Sequence, residues 1–496
     1  MFDKLKRLGT DTAVYGISTV VGRFLTLFLT PLYTNVLPPA DLGVVATVYA
    51  YIAFLNIVYG YGMEGAYMRY ASSLERGDKR ETFSAAFVSV ACTSLLFSLF
   101  IWLRRSPLAA IAGVPMQHTS VVGYAAGILL LDALALIPFA YLRMEGKAKL
   151  FAALKLFNIV LTVLLNLTLL VKYSYGVEGI FLSNLVASGA TFVLLLPTAA
   201  RMLTVQWSAD LYKALLRFAL PSVPSYLASM MIQVIDRPVL EALTSKATVG
   251  IYQANYRLGI FMMLIVSTFD FAWRPFFLTN ASQPNARQLF ARALTYFFLF
   301  MTSCFLVVSF FINDVVTIPI YHGKSLIAPE YWSGLSIVPV VLAAYIFLGV
   351  SNTMVAGIYI EKQTRKLPMV TFVGAAVNVL ANVLLIPPFG IMGAAVATLL
   401  SYAVMAVMLY VITQNIYPIA WEWGRMGKIT LAASAVFVLH VMVRVESLGW
   451  LWNLVLLVLF GVMMKVMHVF DASELASLRR LLRFSSPVQS PSNESL

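Results

Sequence analysis

Two arginines stand where charge is expensive. Arg23 lies in an apolar run that begins near Thr10, roughly 20 Å along a helix at 1.5 Å rise per residue. Arg257 lies about eight residues, or roughly 12 Å, inside a later apolar run. A guanidinium that deep in a membrane normally faces protein or water, not lipid. Facing a water-filled cavity, it is a natural receptor for a diphosphate, which takes paired positive charge and forked donors. The competing use is packing: an ion pair with Asp132, Asp270 or Glu64.

The remaining intramembrane charges are few. Asp132 is central in GILLLDALALIP. Glu64 and Asp270 lie nearer the ends of their apolar runs, where pairing with Arg69 or Arg274 competes with a role in ion coupling. Asp236 and Arg237 fall in a short polar loop with Lys246, a place for capping and loop registry. The four histidines, His118, His322, His440 and His468, are scattered, and Cys92 and Cys304 sit inside apolar runs. No catalytic residue, metal cluster or disulfide framework is expected from them. There is no G-x-x-x-x-G-K-[ST] loop for ATP, and no cofactor is expected.

The elements that hold these charges are membrane helices. The chain has 496 residues, 60% hydrophobic and only 11% charged, with a mean hydropathy of +0.84. A soluble domain is closer to a quarter charged. Apolar runs long enough to span a bilayer recur throughout. They predict an all-α polytopic protein with fourteen spans: 10–37, 41–67, 82–103, 119–142, 150–171, 177–200, 212–235, 248–273, 290–312, 333–360, 367–387, 391–414, 429–445 and 448–468. Barrel strands would alternate over about ten residues, and these runs do not. The first run is too long for a cleavable signal.

Net charge is +13, but its distribution argues against nucleic acid. Lys and Arg gather at the N-terminus, in the even-numbered loops and in the tail. The loop after span 4 carries Arg143, Lys147, Lys149 and nearby Lys155. The odd-numbered loops hold only Arg104, Arg105, Lys172, Arg237, Lys246, Lys324 and Arg444. The positive-inside rule then puts both termini in the cytoplasm, and the basic excess also attracts anionic lipid head groups.

The chain repeats itself. VLPPADLGVV and EALTSKATVGIY each close a short loop on glycine, at Gly43 and Gly250. Asn166 and Asn382 each precede an apolar run, an aromatic and G-x-x-G (Gly176/Gly179 and Gly390/Gly393). The near-constant offset predicts two pseudo-symmetric six-helix lobes, 1–205 and 206–415. Two added helices at 416–470 and a disordered cytoplasmic tail at 471–496 follow. Parallel repeats with a site at their interface are a transporter plan. Pro31, Pro138, Pro221, Pro224 and Pro339 sit inside or at the ends of spans and predict kinks.

Asp236–Arg237 followed by V-G-I-Y-x-x-x-Y-R (Val249 to Arg257) resembles the polysaccharide transporter branch of the multidrug/oligosaccharidyl-lipid/polysaccharide (MOP) superfamily. So do Y-G-M-E (Tyr61 to Glu64) and the run Asn382 to Thr398. The similarity covers about 10–470 and is greatest to the O-antigen (Wzx-type) and exopolysaccharide repeat-unit flippases. It implies two bundles in a V around a central cavity, in the bacterial inner membrane. The implied activity moves an undecaprenyl-diphosphate-linked oligosaccharide between leaflets by alternating access, without enzymatic chemistry. It also implies a cationic cavity with arginines on helices 1 and 8, which Arg23 and Arg257 match by helix. Asp132, Asn56, Gln233 and Asn352 are then candidates for the cavity wall; the three amides could contact sugar hydroxyls or bond helix to helix. Implied partners are the lipid-linked oligosaccharide, membrane lipids, and a glycan polymerase and chain-length regulator. The alternatives are a cation-coupled multidrug exporter of the same superfamily, an integral-membrane glycan polymerase or ligase, and a non-transporting scaffold.

Overall fold

The computed structural model describes residues 29–73, 78–206, 208–321, 323–443, 449–470 and 474. Arg23, most of the first expected span and the Ser- and Pro-rich tail lie outside the described residues. The helices, in chain order, begin with α1 (29–36), α2 (Pro39–Gly60), α3 (Met63–Ser73), α4 (Lys79–Leu103) and α5 (Arg105–Ile111). Then come α6 (Thr119–Met144), α7 (Ala148–Asn166), α8 (Gly176–Met202), α9 (Ala209–Ala219), α10 (Val223–Val234) and α11 (Asp236–Leu243). α12 (Lys246–Leu258), α13 (Ile260–Asn280) and α14 (Ala286–Val316) lead to a hairpin of β1 (Pro319–Tyr321) and β2 (Lys324–Ser325). The chain continues with α15 (Val338–Met354), α16 (Ala356–Ile360), α17 (Leu367–Phe389), α18 (Ile391–Ile416), α19 (Trp423–Met442) and α20 (Gly449–Val466).

Thirteen stretches among the described residues are long and apolar enough to cross a membrane. Each overlaps one of the expected spans 2 to 14, and the chain is a multi-pass helical membrane protein. Helices prevail because lipid offers no partner for a bare N–H or C=O. Local signals place the ends. Asp78 and Glu81 form a reciprocal capping box at the start of α4, and the Ser245 side chain accepts from Thr248 N–H at the start of α12.

The prolines divide by position. Pro138 lies inside continuous α6. Pro221 sits in a 3₁₀ turn, Leu220–Ser222, and Pro224 in the first turn of α10, so the seventh span is two helical pieces. Pro339 likewise opens α15 after a 3₁₀ segment, Pro329–Ile337. The stretch after the seventh span differs from the expected polar loop. Asp236 and Arg237 open helix α11 and are buried, at 1% and 7% exposure. They form an ion pair with each other and open a short separate helix just past the apolar span, which ends at Val234.

The chain forms two compact units. One comprises 287–312 and 419–496. Its core is Leu306, Phe310, Ile429, Val436 and Leu456, and the Asn453 amide donates to the Phe310 carbonyl at 2.8 Å. Glu474 pairs with Arg292 and Arg425 and accepts from the Tyr296 hydroxyl.

The other unit comprises 1–286 and 313–418. Within it α4, α6, α7 and α8 pack as one bundle, and α15, α17 and α18 as another. The sequence repeat becomes a contact here: α2 crosses α12 at Gly43 and Gly250. Near that crossing the Tyr331 hydroxyl donates to the Leu37 carbonyl at 2.8 Å. Lys324 Nζ donates to the Asn35 carbonyl at 3.0 Å, and Asn35 Nδ2 returns a bond to the Ser325 carbonyl at 3.0 Å.

Candidate functional site

Five helices of the first repeat direct polar groups into one half-open cavity of about 520 Å³. α2, α6, α7 and α8 contribute residues three or four apart, the spacing that puts side chains on one helix face. α2 supplies Asn56 and Tyr59, and α3 supplies Glu64. α6 supplies Asp132, Phe139 and Arg143. α7 supplies Phe151, Lys155 and Asn158, and α8 supplies Asn184, Ser188 and Thr191.

The polar groups are partly organised among themselves. Ser188 Oγ donates to Asp132 Oδ1 at 2.9 Å. Asn158 Nδ2 donates to Thr191 Oγ1 at 3.0 Å, and Asn184 Nδ2 to the Tyr49 hydroxyl at 3.0 Å. Arg143 forms an ion pair with Glu64, and its guanidinium lies 5.8 Å from the Phe151 ring centre. Lys155 Nζ lies 4.3 Å from the centre of the Phe139 ring. The lining therefore holds two cations, Arg143 and Lys155, and two carboxylates, Glu64 and Asp132. Four ionisable groups around one cavity among apolar helices make it the candidate functional site, because each is costly there unless used or paired.

Of the residues singled out in the sequence, Asn56, Asp132 and Glu64 meet in this cavity. Glu64 takes Arg143 as its partner; Arg69 instead lies over the Phe218 ring at 5.2 Å. Asp270 pairs with Arg274 at 3.0 Å along α13. Gln233 is exposed on α10, with Nε2 toward the Ser229 carbonyl at 3.4 Å. Asn352 is half-buried on α15. Neither Gln233 nor Asn352 lines this cavity.

Arg257 ends α12 with its guanidinium 5.6 Å from the centre of the Tyr33 ring. Among the described residues no carboxylate lies within 4.0 Å of half-buried Arg257, unlike Arg237, which is buried against Asp236. Arg237 is enclosed: Nη1 contacts Asp236 Oδ1 at 2.6 Å, and Nε donates to Gln253 Oε1 at 3.0 Å. Nη1 also reaches the Gln233 carbonyl. The Tyr252 hydroxyl donates to Asp236 Oδ2 at 2.6 Å, and the Tyr256 ring centre lies 4.6 Å from the guanidinium. The pair ties α11 to α12 through Gln253 and Tyr252.

Sequence reading missed Lys155, Asn158, Asn184, Ser188 and Thr191. Lys155 had been grouped with the loop charges before span 5. It stands about 10 Å along α7 instead, in the cavity wall. The overlooked signal was the polar spacing itself: 155 and 158, then 184, 188 and 191, recur at helical intervals in apolar runs.

A protein-family model described as "Polysaccharide biosynthesis protein" matches residues 34–321. Among curated proteins none matches the chain. Among solved structures, the lipid II flippase MurJ in an inward closed conformation is similar with a TM-score of 0.75 at 15% identity, over 95% of this chain and 100% of that one. A multidrug resistance MATE family transporter of the MOP superfamily, inward-facing, is similar with a TM-score of 0.62 at 15% identity, over 80% and 97%. The Vibrio cholerae MATE transporter VcmN in the bent form follows the same fold with a TM-score of 0.55 at 16% identity, over 83% and 96%. At these identities the likeness is one of fold.

Proposed function

The chain belongs to the polysaccharide biosynthesis protein family, and from that membership we propose that it is a flippase for a lipid-linked oligosaccharide. The glycan crosses on an undecaprenyl-diphosphate carrier, from the inner to the outer leaflet of a bacterial cytoplasmic membrane. Both chain termini face the cytoplasm in this reading, as the loop charges favour. The observation that carries it is the cavity bearing Asn56, Asp132, Lys155 and Asn184 inside an otherwise apolar bundle. Lipid-facing helices have no need of such groups; a hydroxylated head group crossing the bilayer does. Arg257, with a donor-rich face and no carboxylate neighbour among the described residues, receives the diphosphate, and Arg23 is its proposed companion. The two repeats rock about the α2–α12 crossing to expose the site alternately, and the polyprenyl chain stays in lipid. O-antigen or exopolysaccharide repeat units are the glycans this reading names, with a polymerase and a chain-length regulator acting downstream.

The test uses a deletion strain of the source organism and follows where lipid-linked single repeat units collect. The expected result is accumulation in the inner leaflet, relieved by the wild-type gene and not by the Arg23→Ala/Arg257→Ala variant at equal protein level. Single repeats that reach the outer leaflet and stay unpolymerised would overturn the reading in favour of a polymerase or ligase. The MATE-like fold supports a second reading, a cation-coupled drug exporter. Efflux of cationic dyes by the purified chain in vesicles would favour it.

A further inference from the structure

A second cavity in the first repeat is an apolar groove, open at a rim where Phe97, Phe100 and Ile111 are exposed. Its volume of about 550 Å³ is one that a single organic guest fills. α2 lines it with Ile52 and Leu55, and α6 with Val122 and Leu129. Leu108 and Ile111 of α5 close one end. Every lining side chain is apolar apart from the Tyr51 and Tyr59 hydroxyls.

The depth of the groove matches one leaflet. On α6 the lining ends at Leu129, about 15 Å along the helix from Thr119. On α4 it begins at Phe97, about 9 Å before the helix ends at Leu103. Half of a bilayer's hydrocarbon core is also about 15 Å. Where α2 leaves the groove, the Tyr59 hydroxyl donates to Ser98 Oγ at 3.0 Å, and Ser98 Oγ donates to the Ala126 carbonyl at 2.9 Å. These bonds tie α2, α4 and α6 together there.

The α5 end carries charge. Arg104 caps α4 and Arg105 opens α5, each three residues from a lining residue, Ile101 and Leu108. Both arginines are exposed, and among the described residues neither has a carboxylate within 4.0 Å. The Arg105 guanidinium lies 5.4 Å from the centre of the exposed Trp102 ring. Tryptophan beside arginine at a helix end marks the boundary between water and hydrocarbon. The two arginines also run against the charge bias, because they stand in an odd-numbered loop, where Lys and Arg are few. Forked cations at that boundary suit a phosphodiester, and an apolar groove beginning beside them suits the chain attached to it.

We propose that this groove binds one anionic glycerophospholipid from the leaflet on the α5 side. Its phosphate sits on Arg104 and Arg105, and one acyl chain lies between α2, α4 and α6. The excess of cation selects an anionic lipid over a zwitterionic one. A polyprenyl chain is far longer than one leaflet is deep and would leave most of its length outside the groove. The site does not depend on which cargo the protein carries.

The test is native mass spectrometry of the full-length protein in detergent, titrated with phosphatidylglycerol or phosphatidylethanolamine. The expected result is one phosphatidylglycerol held more tightly than any phosphatidylethanolamine. Arg104→Gln and Arg105→Gln should each weaken phosphatidylglycerol about fivefold, the effect of one basic residue at a membrane surface, and leave phosphatidylethanolamine unchanged. Ala112→Trp, with Ala112→Leu as a milder form, fills the groove and keeps both arginines, so it should weaken both lipids. An unshifted melting transition without added lipid shows that a variant has folded. Equal retention of the two lipids, or retention indifferent to the arginine variants, would overturn the site. Loss with the arginine variants but not with the Ala112 variants would leave only surface attraction of a head group and overturn the groove; displacement by inorganic phosphate would do the same. Displacement by undecaprenyl phosphate at equal concentration would give the groove to a polyprenyl carrier and overturn the proposal.

Discussion

Gly43 and Gly250 hold equivalent places in the two repeats, and each is pressed against the other repeat's backbone. A Cβ on Gly43 would stand 1.9 Å from the Lys246 carbonyl oxygen, and one on Gly250 would stand 1.8 Å from that of Pro39. Both carbonyls lie in the first turns of the crossing helices, four residues before the glycine of the same helix. The contact is reciprocal, so the crossing of α2 and α12 is a two-fold seal made of main chain.

Alanine at either glycine must therefore part the helices. We expect Gly43→Ala and Gly250→Ala each to destabilise the sealed state by about 1–3 kcal/mol, the range for overpacking. The double variant should cost less than the sum, because the first substitution already opens the space the second needs. Thermal unfolding in detergent measures the cost. Thiol labelling of a cysteine placed at Asn35 reads the opening. Equal labelling in wild-type and variant backgrounds would contradict it.

The Asp236–Arg237 pair predicts a loss of stability, not of recognition. Asp236→Ala leaves a buried guanidinium without its carboxylate and should cost about 3–5 kcal/mol. Replacing both residues with apolar ones of similar size should recover much of that. Melting temperature and membrane-inserted yield report it. A stable Asp236→Ala chain that has lost only transport would mean that the pair handles substrate.

For Glu64 and Arg143 the expected cost is smaller, since both side chains are about one-third exposed. Glu64→Gln or Arg143→Gln should lower stability by about 1 kcal/mol or less. Each should impair transport more than it impairs folding, by leaving a net charge in the cavity. The double variant, neutral again, should regain activity relative to either single one. A double variant worse than both singles would show that the two side chains act separately.

Arg257 carries the opposite expectation. Arg257→Ala should cost no more than about 1 kcal/mol of stability, the scale of its contact with the Tyr33 ring, because no carboxylate among the described residues depends on it. Export should nevertheless fall sharply. Arg257→Lys keeps the charge and loses the planar fork, so it should restore only part of the activity. Export by Arg257→Ala at the wild-type rate would remove this residue from the substrate path.

The spans could be read from hydropathy because a lipid-facing helix has little choice of residue: runs such as VLANVLLIP around Leu380 are apolar on nearly every face. The cavity could not be read that way. Lys155 follows a basic loop closely enough to look topogenic, and only the turn of α7 carries it inward. Asp132 was visible as a lone charge, whereas Ser188, its hydrogen-bond partner, is fifty-six residues away. That pairing exists only once α6 and α8 pack. Asp236 and Arg237 misled for a related reason. Adjacent opposite charges after an apolar run read as a loop, and their burial depends on Tyr252 and Gln253 arriving from the next helix.

The balanced lining of the first-repeat cavity has an electrical consequence. Moving one elementary charge through the membrane field is worth about 2.3 kcal/mol per 100 mV, so any charged wall that shifts during transport makes the cycle sensitive to membrane potential. Glu64, Asp132, Arg143 and Lys155 sum to zero. A cavity with that lining can move through the bilayer without doing net electrical work. In the proposed cycle, voltage dependence enters through Arg257 and the charge of the cargo, leaving this cavity electrically silent.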